Sequence, residues 1–308
     1  MHEGYEELRH GAAWVDLSGR GKIFATGRDR ARLLHNLTSN HVKQLEPGQG
    51  CYAFLLTPQG RIQADLNIFC LPDRFLLDTE PETRQRVLDL IRKYIIADDV
   101  ALEDASDRLC ALGVEGPNAA AVLAAAGAPV PGTPWSHAAW EDATVAAVSS
   151  TGQPGFRIFG PAERKQDLTV RLAAAGARPA SAEAARVVRL ENGVPRYGDD
   201  IFDTTLPQES RQMHALHFNK GCYLGQEIVE RVRARGHVNR LLMPLRIEGE
   251  EPLTPGTKLD ASGVDAGEIT SATFSPAEGK VVALAYVRAL QAKPGTPLTA
   301  AGRPAVVA

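Results

Sequence analysis

Beyond Arg240 the chain loses helical periodicity. Residues 241–308 hold short strand-like runs, among them LMPLRIEG, GEITSATFS and VVALAYV, separated by glycine and proline turns. Such a segment buries its apolar positions only by closing an antiparallel sheet on itself or against a second one, so it predicts a small barrel or sandwich. Upstream the pattern is different: strands and helices alternate, and hairpins join the strands. That mixture predicts an α+β fold rather than a doubly wound parallel sheet. The expected organisation is an α+β region of two packed subdomains over 1–240 and a β-barrel domain over 241–308.

Within the first region GKIFAT (21–26) reads as a strand, and RDRARLLHNLTSN (28–40) as a helix with Leu33, Leu34 and Leu37 on one face. CYAFLLT (51–57) and IQADLNIF flank the turn chemistry of TPQGR and predict a hairpin, which FLLDTE (75–80) extends. PETRQRVLDLIRKYIIADD (81–99) has proline at a first helical turn and Leu88, Ile91 and Ile95 at helical spacing. A strand at LCALGVEG (109–116), an alanine-rich helix, a strand pair within 142–160 joined by GQPG, and helices at 161–175 and 181–192 follow.

At 308 residues the chain is long enough for two or more packing units, and 44% apolar residues suffice for a large core. A net charge of −3 gives no whole-chain attraction to nucleic acid or an anionic membrane. The opening MHEGYEELRHGAAWVDL lacks the apolar stretch of a secretory signal, and no apolar run reaches membrane-spanning length. The four cysteines are widely spaced, with neither CxxC nor a histidine partner at metal spacing, so a reduced, cytoplasmic setting is expected. Cys51, Cys70 and Cys110 lie in apolar strand-like runs and read as core residues. His214 and His217, three apart, have no third ligand beside them and read as non-ligands.

Three constellations carry chemistry. In KGCYLGQE (220–227) a thiol, Cys222, follows Lys220 and precedes a helix starting near Gly225; the cation and the helix N–H groups would favour its thiolate. The same position suits a half-buried turn cysteine. Lys220 to Arg240 holds five Lys/Arg against two Glu, which reads either as an anion site or as a solvated helix face with Glu227 and Glu230 pairing Arg231 and Arg233. In RLENGVPRYGDD (189–200) Glu191 ends a helix; its carboxylate would suit a flat N–H/NH2 edge, or Arg189 simply holds it in an ion pair.

These strings have a family look. KGCYLGQEIVERVRARGHVNR resembles the signature of the YgfZ family, folate-binding proteins related to the T-protein of the glycine cleavage system. DLSGRGKIFATGRDRARLLHNLTSNHVKQLEPGQG looks like the opening of that superfamily, RLENGVPRYGDD like its folate-carboxylate segment, and GEITSATFSPAEGKVVALAYV like its barrel. The resemblance implies a three-lobed cloverleaf around a central folate channel. It puts Glu191 at the position of the glutamate that binds the pterin edge, and Asp65 in the stretch of acidic residues. T-proteins carry adjacent carboxylates there after a double glycine, where this chain reads QGRIQAD; they carry an aspartate–phenylalanine pair and an arginine where it has Cys222, Tyr223 and Gln226.

YgfZ proteins are implicated in assembly or repair of iron–sulfur clusters, and thereby in maturing enzymes that modify tRNA. The implied site is a functional thiol, Cys222, with Lys220, Gln226 and Glu227, at the mouth of a tetrahydrofolate channel lined by Glu191, Asp65, Tyr223 and Arg189. Implied partners are iron–sulfur proteins or their assembly machinery, with no resident metal, no direct nucleic acid and no membrane. The alternative is a folate-dependent aminomethyl or other one-carbon transferase. A basic-patch RNA-binding factor is disfavoured by net charge and the lack of an aromatic-studded platform.

Overall fold

Two antiparallel-rich sheets and a barrel make up the computed structural model, which describes residues 2–236 and 238–308. The first sheet has strand order Gly50–Leu56, Ile62–Cys70, Phe75–Thr79, Gly21–Thr26, Ala101–Asp104. Helices Arg30–Leu37 and Arg84–Lys93 cover one face, burying Leu33, Leu34, Val87 and Ile91 against Ile23, Leu66, Ile68 and Leu77. Side chains of this size stabilise by about 1.5–3 kcal/mol each when fully buried. The helix beginning at Pro81 opens with a single 3-10 turn and ends at Lys93, short of the expected Asp99.

The second sheet runs Arg178–Ala180, Ala13–Asp16, Leu109–Glu115, Gly155–Pro161, Ala143–Ala146, His137–Trp140. Helices Ala119–Ala125 and Lys165–Ala174 close its outer face over Leu112, Val114 and Ile158. Its strands come from both ends of the region: Ala13–Asp16 pairs in parallel with Arg178–Ala180, a long-range pairing that the local pattern does not reveal. The inner faces of the two sheets meet through Phe69, Leu76, Ala111, Val148 and Phe159.

From Arg240 onward six strands, Arg240–Ile247, Lys258–Asp260, Asp265–Ser275, Lys280–Arg288, Pro297–Ala300 and Arg303–Val307, close into an antiparallel barrel. Its interior is Leu245, Ile247, Ile269, Val281 and Ala283. Helix Ala182–Glu191, capped by the Ser181 hydroxyl accepting from the Ala184 N–H, lies between second sheet and barrel. No helix among the described residues is long and apolar enough to cross a membrane.

Candidate functional site

A cavity of about 910 Å³ opens between the two sheets and the segment after helix Ala182–Glu191. That is the size of a pocket for a drug-sized ligand. Its wall begins on strand Ile62–Cys70, where Asp65 and Asn67, two apart, share a face, and Asp78 stands directly opposite Asn67 on the next strand. Glu80 follows Asp78, and Arg20 enters just before strand Gly21–Thr26.

Asp65 is 8% exposed. Its Oδ2 accepts from the Tyr52 hydroxyl at 2.9 Å, and its Oδ1 has no hydrogen-bond partner. Burial and the Glu80 carboxylate push the Asp65 carboxyl up to about 6, against Arg20 and Tyr52, which pull it down. Asp78 is fully buried and behaves in the opposite way. Burial alone would raise it, but the Arg157 and Arg20 guanidiniums bring it below the usual carboxylate value. Arg20 meets Asp78 at 2.7 Å, Asn67 donates to it at 2.9 Å, and Arg157 reaches it from the second sheet.

Around this polar floor stand aromatic side chains. Trp135 donates from its indole N–H to Asn67 at 2.9 Å and stacks on His214 with ring centroids 5.3 Å apart. Tyr52 lies 5.2 Å from the same imidazole. Trp135 has φ +59°, a left-handed conformation that a bulky residue adopts only where its surroundings force it. The turn Ser149–Thr151 forms another wall and is gathered by one buried carboxylate, Glu115. That group accepts from the Ser149 hydroxyl at 2.8 Å, the Ser150 N–H at 2.7 Å and the Thr151 N–H at 2.9 Å.

Of the expected folate residues, the cavity takes in Asp65 and Arg189 and leaves out Glu191 and Tyr223. Residues 189 and 191 are about 200° apart around a helix, so they face opposite sides. Arg189 turns to the cavity wall and pairs with Asp200 at 2.6 Å and Asp199 at 3.0 Å, not with Glu191. Glu191 turns away: it accepts from the Tyr5 hydroxyl and the Ser275 hydroxyl, each at 2.6 Å, and pairs with Arg9 at 2.7 Å. With its oxygens committed between the N-terminal helix and the barrel, Glu191 is corrected from a pterin ligand to an anchor. Tyr223 is corrected likewise, being buried among Phe54, Leu56, Tyr197 and Val229.

The thiol constellation also comes apart. Cys222 is exposed and is not among the residues that line the cavity. Lys220 is buried; its Nζ donates to the carbonyls of His35, Thr38 and Asn40, the last two at 2.5 and 2.8 Å. Its three hydrogens are thus spent on the end of helix Arg30–Leu37 rather than on the thiol. Burial pulls that ammonium down to about 7. Gln226 begins helix Gln226–Arg235, and its Oε1 accepts from the Tyr223 N–H at 3.2 Å. Glu227 pairs with Arg231 at 2.5 Å and Glu230 with Arg233 at 3.5 Å, the local pairing of a solvated face. Gly225 has a packing role: at φ +83° a Cβ there would stand 2.5 Å from the Thr57 carbonyl oxygen. His237 of the motif lies outside the described residues. Cys70 and Cys110 are buried and Cys51 half-buried, and burial pushes the Cys51 thiol up to about 12.

Sequence reasoning missed Arg20, Asn67, Asp78, Trp135 and Arg157. A signal was present, since a charge inside an apolar strand (FLLDT, GFRIFG) needs a buried partner or a ligand. His214 lines the cavity, while His217 packs 5.1 Å from His41. No group of three or more metal-ligating side chains is assembled among the described residues.

Residues 1–220 match the GCVT N-terminal domain family, and residues 240–305 the glycine cleavage T-protein C-terminal barrel domain. An aminomethyltransferase of Rippkaea orientalis is 29% identical over 97% of this chain and 84% of its own length. One from Rubrobacter xylanophilus is 30% identical over 92% and 78%. A putative chloroplastic transferase of Arabidopsis thaliana is 27% identical over 96% and 70%. The crystal structure of the glycine cleavage system aminomethyltransferase T from Bartonella henselae superposes with a TM-score of 0.89 at 25% identity, covering 98% of this chain and 86% of that one.

Proposed function

Given that the chain belongs to the family of the GCVT N-terminal domain with its C-terminal barrel, we propose that it binds tetrahydrofolate or a one-carbon derivative between its two sheets. We further propose that it serves, as a YgfZ-type factor, the assembly or repair of iron–sulfur proteins and so indirectly tRNA modification. The observation that carries the folate reading is Asp65, a buried carboxylate with one unpartnered oxygen on an aromatic-walled cavity of folate size. Ionised, it accepts from ring N–H groups; Trp135 and Tyr52 supply apolar area for a flat heterocycle. Arg189, tied to Asp199 and Asp200, shapes the far wall.

The accessory role rests on Cys222. It is the exposed thiol and lies off the cavity, where a client protein reaches it and the bound folate does not. A lone thiol does not hold a cluster, for which about four ligands are usual. The cluster is therefore the client's.

Calorimetry with tetrahydrofolate tests the first part. Asp65→Asn is expected to weaken binding roughly tenfold or more, the loss of a charged acceptor; unchanged affinity would remove Asp65 from the site. Complementation of a strain defective in iron–sulfur enzyme maturation tests the second. Cys222→Ser keeps size and hydrogen bonding but has no thiolate, so it should fail to rescue; full rescue would make the thiol structural. A second reading, aminomethyl transfer, is favoured by the names of the relatives. Turnover with an aminomethyl-loaded lipoyl carrier protein would establish it.

A further inference from the structure

Arg157, a cavity-lining residue 2% exposed, reaches from strand Gly155–Pro161 of the second sheet to Asp78 of the first. Its terminal nitrogens are engaged: one meets Asp78, the other donates to the Ser150 hydroxyl at 2.6 Å. Its Nε–H has no partner. Asp78 cannot supply one, because it already accepts from Arg20 twice, from Asn67 and from Arg157 itself. Three of these four bonds fall on Oδ2, the oxygen that Arg157 itself reaches, and one on Oδ1. Arg157 thus lines a ligand-sized cavity and carries a buried donor that the protein does not use.

Resting on the folate reading above, we propose that Arg157 is a specificity-determining residue that donates to the ring carbonyl oxygen of the bound pterin. Arg157 and Asp65 line the same cavity. Asn67, which shares Asp78 with Arg157, is two residues from Asp65 on one strand, a step of about 7 Å. A donor at one end and an acceptor carboxylate at the other match a bicyclic ring that carries a carbonyl on one side and N–H groups along its edges. The same donor would also suit a carboxylate of the glutamate tail, and ligands without that tail separate the two.

The experiment compares 6-methyltetrahydropterin with its 2,4-diamino analogue, both kept reduced at pH 8, with tetrahydrofolate alongside. In the diamino ring an amino donor replaces the carbonyl acceptor, and the adjacent ring nitrogen N3 loses its hydrogen, so the Arg157 variant is needed to assign the selectivity. The unaltered protein is expected to prefer the oxo form by at least about tenfold, as buried donors reject a ligand that leaves them unpaired. Arg157→Met should weaken the oxo form by a similar factor and bring the two ligands within about threefold. This variant leaves Asp78 paired with Arg20 and Asn67, and it separates the donor at Arg157 from the change at N3, which Asp65 senses.

Equal affinity of the unaltered protein for the two rings would overturn the proposal, as would selectivity that persists in Arg157→Met. If Arg157→Met weakens tetrahydrofolate but not the tailless pterin, the donor serves the tail carboxylate and the ring assignment is wrong. No binding of any of these ligands would instead bring down the folate reading itself, and the proposal with it.

Discussion

Asp65 lies on a central strand where water is scarce, and burial with the Glu80 carboxylate raises its carboxyl to about 6. Its ligand-binding form is the ionised one, so tetrahydrofolate affinity should rise with pH through about 6 and level off above. In Asp65→Asn that dependence should be lost, and a pH series of binding isotherms checks it. For stability the sign is reversed: a carboxyl whose folded value is raised favours the fold below its unfolded value, near 3.8, and the advantage is lost as pH rises through about 6. Exposure settles the thiols. Cys222 is exposed while Cys70 and Cys110 are buried and Cys51 is partly covered. Titrated alkylation of the native protein with peptide mapping should label Cys222 first; earlier labelling of any other cysteine would refute the assignment.

At the scale of elements, the end of helix Arg30–Leu37 and the loop before helix Gln226–Arg235 are held together by Lys220. Around it His35 and His41 have ring centroids 4.6 Å apart, and His41 and His217 5.1 Å. Burial pushes His35 down to about 4, reinforced by Lys220, His41, Lys43 and His217. The unfolded chain, with an ordinary histidine value of 6.5, therefore binds a proton that the folded one refuses. Stability should fall as pH drops from about 6.5 to about 4. Urea denaturation across that window checks the slope, and His35→Gln should flatten it. An unchanged slope would mean that His35 is protonated in the folded state.

Across the whole molecule one chain of polar contacts connects sheets, cavity wall and barrel. Arg157 and Arg20 meet on Asp78, and Arg20 and Arg196 share Glu80. Arg196 and Arg189 share Asp199, and Arg189 holds Asp200, which accepts from Thr270 and Ser271 of the barrel. Glu191 makes a second tie, joining Tyr5 and Arg9 to Ser275. Because that tie stands apart from the cavity, Glu191→Ala should cost on the order of 2–3 kcal/mol of stability through the donors left unpaired. Its tetrahydrofolate affinity should stay within about twofold of the unaltered protein. A large loss of affinity in a folded variant would return Glu191 to the site.

The strands GKIFAT, IQADLNIF and FLLDTE, the helix with Leu33, Leu34 and Leu37, and the change of character after Arg240 were legible because each rests on local periodicity and turn chemistry. So was the superfamily resemblance, since it lies in contiguous strings. The cavity was not. It forms where residues far apart in sequence converge, Arg157 on Asp78 and Trp135 on Asn67, and no local pattern encodes such a meeting. The same limit explains Glu191 and Lys220. Residue type and neighbours made each a candidate, but the direction of a side chain depends on helix phase and on what packs against it. Only the tertiary structure turned Glu191 toward Tyr5 and Ser275, and Lys220 toward the carbonyls of a helix end.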